Sequence, residues 1–89
     1  MEFFIKKYIT DTFLLLDNVE NEIILKEHCF EIYDNKNIYS FRYSIIEKIS
    51  HPYPLVYVIH TKFGDIQLKF SIDIKLDGFI KFLEEKVNE

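Results

Sequence analysis

The chain has 89 residues and a formal net charge of −4, with hydrophobic residues at 48% and aromatic residues at 17%. Its apolar content is too high and its charge too small for a disordered chain. Its single cysteine, Cys29, excludes an internal disulfide framework and the thiolate clusters of structural zinc sites.

Fifteen acidic residues face eleven basic ones, and no run of Lys or Arg interrupts the mixture. Phosphate-binding surfaces concentrate positive charge on one face, so nucleic acid is not the expected partner. No apolar run approaches the length of a membrane span. The one near the N-terminus, residues 13–16, follows no charged-then-apolar signal. The expected location is cytoplasmic. Residues 1–89 are expected to form a single domain; a chain of this size buries roughly 60–65% of its unfolded surface. Nine Phe and six Tyr supply large burial areas for a core.

Short apolar stretches are punctuated by turn residues every eight to twelve positions, the rhythm of an all-β sheet or barrel. Residues 3–9 read as either an opening strand or a short helix. Asp17, Asn18 and Asn21 mark a turn between segments 12–16 and 22–26. Phe30 and Ile32 then alternate with Glu31 and Tyr33. A corner at Asp34, Asn35, Lys36 and Asn37 follows, where Asn and Asp tolerate the left-handed conformation. Residues 38–43 alternate aromatic and polar side chains on the far side of that corner. Residues 45–49 form the next strand, which His51, Pro52, Tyr53 and Pro54 should end, because proline lacks a ladder donor.

Segments 55–61 and 66–70 make the clearest hairpin, turned by Phe63, Gly64 and Asp65, with glycine free to take a positive φ. In the tail the period changes. Leu76, Phe79, Ile80, Leu83 and Val87 share one helical face, widened by Phe82. Asp73 is the expected N-cap, Asp77 lies near the positive end of the helix dipole, and Gly78 allows a close approach to a sheet. The expected fold is mainly β with one C-terminal α-helix: a bent antiparallel sheet or small barrel of six to seven strands, capped by the amphipathic helix.

The element order across residues 12–87 resembles the pleckstrin-homology-like barrel, in particular its small bacterial members. The paired strands 22–26 and 29–33, the stretch 41–49, the hairpin within 57–70 and the closing helix 76–87 carry the likeness. It implies a strongly bent sheet plugged at one open end by the final helix. Some members bind phosphoinositides through basic residues around the loop joining their first two strands. Here that loop, 10–12 or 17–21, contains no basic residue, and Lys6 and Lys7 are the nearest positive pair. Other members bind peptides along a strand edge and helix, or assemble into rings.

No motif for catalysis stands out. His28, His51 and His60 lack the local spacing that brings two ligands to one metal. On a strand, His28 and its neighbour Cys29 would point to opposite faces. Cys29 sits among alternating apolar and acidic residues, the setting of a half-buried structural side chain. Arg42 is the only arginine; beside Phe41 and Tyr43 it could hold a carboxylate or phosphate bidentately, or stack on a ring. Phe3, Phe4, Tyr8, Tyr39, Tyr43, Tyr53 and Tyr57 exceed what one small core absorbs, which suggests a partner surface.

The expected function is therefore a non-catalytic interaction module with no cofactor and no metal. It would bind a protein partner, or a second copy of itself, through an exposed strand edge and a Tyr/Phe-rich face. Arg42, Tyr39, Tyr43, Tyr53 and Tyr57 are the expected contact residues. An alternative is a membrane-surface module that binds anionic lipid through Lys6, Lys7 and Arg42. A third reading, an enzyme using Cys29 with a histidine, requires a base within reach of the thiol.

Overall fold

The computed structural model describes residues 1–10 and 20–88. In chain order the strands are β1 (Glu2–Ile5), β2 (Lys7–Thr10), β3 (Glu22–Leu25), β4 (Cys29–Asp34) and β5 (Asn37–Arg42), then a 3-10 turn (Tyr43–Ile45). β6 (Ile46–Tyr53), β7 (Val56–Thr61) and β8 (Gly64–Phe70) follow, and helix α1 (Asp77–Val87) ends the described chain. The fold is mainly β with one C-terminal helix, and its strands lie in two four-stranded sheets ordered β1-β8-β7-β6 and β2-β3-β4-β5.

The N-terminal segment, expected as one strand or a helix, makes two strands with a break at Lys6. Phe3 and Ile5 point inward while Glu2 and Phe4 face out, the period of a half-buried strand. β1 joins β8 in parallel, and β2 joins β3 in parallel. The expectation of a wholly antiparallel sheet is corrected here, as is the strand number, which is eight among the described residues. The cause is that one extended segment crosses from one sheet to the other at a bend, a device of orthogonal sheet packings. The 3-10 turn makes the opposite corner, carrying the chain from β5 into β6.

Both expected hairpins form. Asn35, at φ 57°, turns β4 into β5, and Gly64, at φ 129°, starts β8. The second turn itself lies at Lys62 and Phe63, one step earlier than the sequence suggested, because Thr61 pairs with Gly64. Pro52 does not end β6. The strand runs on to Tyr53 through a register shift between Ser50 and Tyr53. A proline fits there because β6 is a sheet edge with an irregular ladder. Segment 12–16, with Asp17 and Asn18, lies outside the described residues; Asn21 takes a left-handed φ of 54° just before β3.

Inward-facing Phe3, Ile5, Ile23, Leu25, Phe30, Ile32, Ile59, Ile66, Leu68 and Phe70 form the core, which Phe79 and Leu83 of α1 close. Each fully buried side chain of this kind contributes about 1.5–3 kcal/mol. The helix starts at Asp77, with Leu76 before it and no side-chain cap. Asp73 is not the cap, because helical geometry begins four residues later; Asp77 does supply the acidic first turn. Gly78 faces the sheet closely enough that a Cβ there would lie 2.8 Å from the Tyr8 hydroxyl oxygen.

Candidate functional site

Among the described residues β5 is the outer strand of its sheet, with β4 as its one neighbour. In an antiparallel ladder, alternate residues turn their backbone groups toward the partner and the rest turn them away. The Tyr43 amide donates to the His28 carbonyl at 3.2 Å, which places Tyr43, Phe41 and Tyr39 on the bonded side. The backbone groups of Ile38, Ser40 and Arg42 therefore face the open edge. Among the described residues the edge has little of the usual protection, its one charged residue being Arg42 at the end of β5. It contains no proline, no lysine and no register shift, and Ile38 is 60% exposed.

Two hollows flank the corner where β5 ends. On one side a groove of about 420 Å³ runs between Ser40, Phe41 and Ile45 and the β7–β8 hairpin, with Met1, Phe63, Asp65 and Ile66 among its walls. Phe63 is 84% exposed at its rim, a large apolar ring placed in water by a two-residue turn. On the other side a more polar cleft of about 520 Å³ is lined by Glu27, His28, Arg42, Tyr43, Ser44 and the end of α1 at Lys86 and Val87. Arg42 reaches it from the last ladder position, opposite Cys29. None of the ion pairs among the described residues includes Arg42. Among the described residues the one acid lining the cleft, Glu27, lies 3.7 Å from His28.

The expected contact residues do not share one face. Tyr43 is a core residue: its ring packs near Phe30 and Phe82, and its hydroxyl donates to the Lys26 carbonyl at 2.7 Å. Burial holds that phenol far above its ordinary pKa. Its place as a surface contact is corrected by its burial: the odd residues of β5 face the core, and Tyr43 in the 3-10 turn stays on that side. Tyr39 is half-buried, edge-on to Phe3 at 5.0 Å. Tyr57 is half-buried beneath the helix, stacked on His51 at 4.0 Å and edge-on to Phe70. Tyr53 is 69% exposed, but on β6. The aromatic surplus is thus largely absorbed by the core and its two ends. Arg42 alone of the five lies on the β5 edge with its side chain exposed.

Lys6, Lys7 and Arg42 do not gather. Lys7 stands opposite Glu22, in a row continued by Tyr33 and Ile38. Arg42 lies three strands over, about 14 Å, and four residues along, about 13 Å. Sequence reading missed Phe63, taken only as a turn residue, and Phe41, Ile38 and Met1. A two-residue turn that exposes a phenylalanine is a signal the sequence did carry.

Three polar side chains on the outer face of the other sheet were also missed. Ser50 Oγ lies 2.7 Å from His60 Nε2, and His60 Nδ1 lies 2.9 Å from Asp65 Oδ1. These residues come from β6, β7 and β8, and only strand register brings them together. The order matches a nucleophile, a base and an orienting carboxylate. Acyl transfer also needs oxyanion donors and a cavity beside the nucleophile, and neither Ser50 nor His60 lines the cleft or the groove. Cys29 is half-buried on β4, while His28 beside it is exposed. Among the described residues no cluster of three or more His, Cys, Asp or Glu is placed to hold a metal ion, and no helix is long and apolar enough to cross a membrane.

Compared with protein-family models, with curated proteins and with solved structures, the chain matches none of them.

Proposed function

We propose that this chain is a non-catalytic interaction module, with a pleckstrin-homology-like arrangement of sheets and helix, that binds a protein partner by adding a strand to β5. The observation that carries this reading is the weakly protected β5 edge lying beside an apolar groove with Phe63 at its rim. Edge pairing draws affinity from backbone hydrogen bonds and specificity from pockets for alternate side chains. The groove offers one such pocket. A second copy of the chain is the other occupant that could use the same edge, and solution mass separates the two.

Ser40→Pro is the diagnostic substitution. Its amide faces away from β4, so proline removes a donor that only an added strand would use. Random peptides displayed on phage and selected on the wild-type protein should yield extended sequences that the Ser40→Pro protein no longer retains. Light scattering should give a monomer mass for both proteins. Sequences retained equally by both would contradict edge pairing. A wild-type dimer that becomes monomeric in Ser40→Pro would transfer the edge from a foreign partner to a second copy.

A second reading rests on Ser50, His60 and Asp65, whose hydrogen bonds are short enough to activate a hydroxyl. On a sheet face flanked by Val56 and Val58, the same chain of bonds also satisfies three polar groups without any reaction, and this is the role proposed for it.

A further inference from the structure

Building on strand addition at β5, the two hollows at the end of that strand prescribe what the added segment must carry. In an added strand, the residue facing Arg42 shares the outer surface of the sheet with the guanidinium, at ordinary cross-strand distance. Its immediate neighbour points to the opposite face, since side chains alternate. That face opens into the groove between Phe41 and Ile45 on one wall and Phe63 and Ile66 on the other. We infer that the β5 edge recognises an extended peptide in which an acidic residue directly adjoins a large apolar one, the carboxylate on Arg42 and the apolar side chain in the groove.

Charge fixes the first position. Arg42 is the only arginine in a chain of net charge −4, and no ion pair among the described residues uses it. Its cleft is shared with His28 and Lys86, and among the described residues Glu27 is the only acid lining it, 3.7 Å from His28. A guanidinium at an open edge is a fork suited to a carboxylate. Shape fixes the second position, because the groove walls are Met1, Phe41, Ile45, Phe63 and Ile66, with room for one aromatic or branched aliphatic side chain. Asp65 borders the groove but is bonded to His60 at 2.9 Å. Two residues further along the peptide, the side chain facing Ser40 meets a small exposed neighbour and is unrestricted in type.

Selection of a displayed library of fully random decapeptides on wild type and on Arg42→Glu tests this. Wild type should enrich Asp or Glu next to Phe, Leu, Ile or Val, and Arg42→Glu should exchange the acid for Lys or Arg while keeping the apolar neighbour. A synthetic peptide from the wild-type pool should bind Arg42→Ala about fivefold more weakly, the upper range for a cross-strand ion pair. It should bind Phe63→Ser more weakly still. Because Arg42 and Phe63 are both exposed, these variants should keep the wild-type melting temperature. Peptides enriched without an acid, or an unchanged preference on Arg42→Glu, would overturn this inference and leave strand addition standing. Failure to enrich any peptide would overturn both. Arg42-dependent binding to vesicles of anionic lipid, with no peptide selected, would also overturn it.

Discussion

The Tyr43 hydroxyl donates to the Lys26 carbonyl at 2.7 Å, tying the corner after β5 to the end of β3. The bond holds the 3-10 turn against the sheet and so fixes where Arg42 leaves the ladder. Burial, with a smaller contribution from Cys29, raises the Tyr43 phenol far above its ordinary pKa. A group raised in the folded state contributes stability that is fully present below its unfolded pKa, about 10, and is lost as pH climbs from there toward the folded value. The Tyr43 contribution to stability against urea should therefore be constant up to about pH 10 and decline above it. Tyr43→Phe should lose about 1–2 kcal/mol at pH 7, because a part-buried carbonyl loses its donor, and should show a shallower alkaline decline. An unchanged alkaline slope would place the titrating group elsewhere: at Tyr33 or Tyr57, whose phenols are also raised by burial, or at Lys26, raised by its hydrogen bond to Glu31.

The approach of α1 to β2 gives a second prediction. A Cβ at Gly78 would meet the Tyr8 oxygen at 2.8 Å but the ring carbon behind it only at 3.9 Å, an ordinary contact. Alanine is better than glycine in a helix by about 1 kcal/mol, so two effects oppose each other in Gly78→Ala. Removing the hydroxyl should release one of them. In a Tyr8→Phe background, Gly78→Ala should stabilise by up to about 1 kcal/mol, and in the wild-type background by clearly less. Thermal melts of the four proteins in this cycle measure the difference.

Two prolines on one strand should behave in opposite ways. Ser40→Pro removes an outward-facing amide and should cost less than about 1 kcal/mol. Phe41→Pro removes an amide bonded to β4 and a ring packed on Phe30 and near Phe3. It should cost at least about 2 kcal/mol more. Similar losses in chemical denaturation would mean that the assigned direction of the β5 amides is wrong.

Ser50 should behave as an ordinary serine. A fluorophosphonate probe should leave it unlabelled at neutral pH, and Ser50→Ala should change stability by about 1 kcal/mol through the lost bond to His60. Labelling of Ser50 that vanishes in His60→Ala would instead establish an activated nucleophile.

Strand periodicity was legible wherever one face is buried and the other wet: Ile66, Leu68 and Phe70 alternate with Gln67 and Lys69, and the first three are all core. The helix was legible from Phe79 and Leu83 for the same reason, although its start was not, because Leu76 precedes it without a side-chain cap. The parallel pairing of β1 and β2 could not be read, since a bend at Lys6 has no composition of its own and the partner of β1, β8, lies at the other end of the sheet-forming chain. Tyr43 was misplaced because it was grouped with its neighbour Arg42 as a contact, although alternation with Tyr39 and Phe41 already puts residue 43 on the core side. Arg42 stood out in the sequence as the single arginine. Phe63 was legible as an apolar ring in a tight turn but was read only as a turn residue, whereas the Ser50–His60–Asp65 chain depends on register, which neighbouring residues do not encode.

Amide hydrogen exchange along β5, followed by NMR with and without a peptide selected on the wild-type protein, is the most direct measurement. In the free protein the amides of Ile38, Ser40 and Arg42 should exchange rapidly and those of Tyr39 and Phe41 slowly. Saturating peptide should slow Ser40 and Arg42 by at least about tenfold while Tyr39 and Phe41 stay as they were. Protection that appears on another strand, with Ser40 still exchanging freely in the complex, would contradict binding by strand addition at β5.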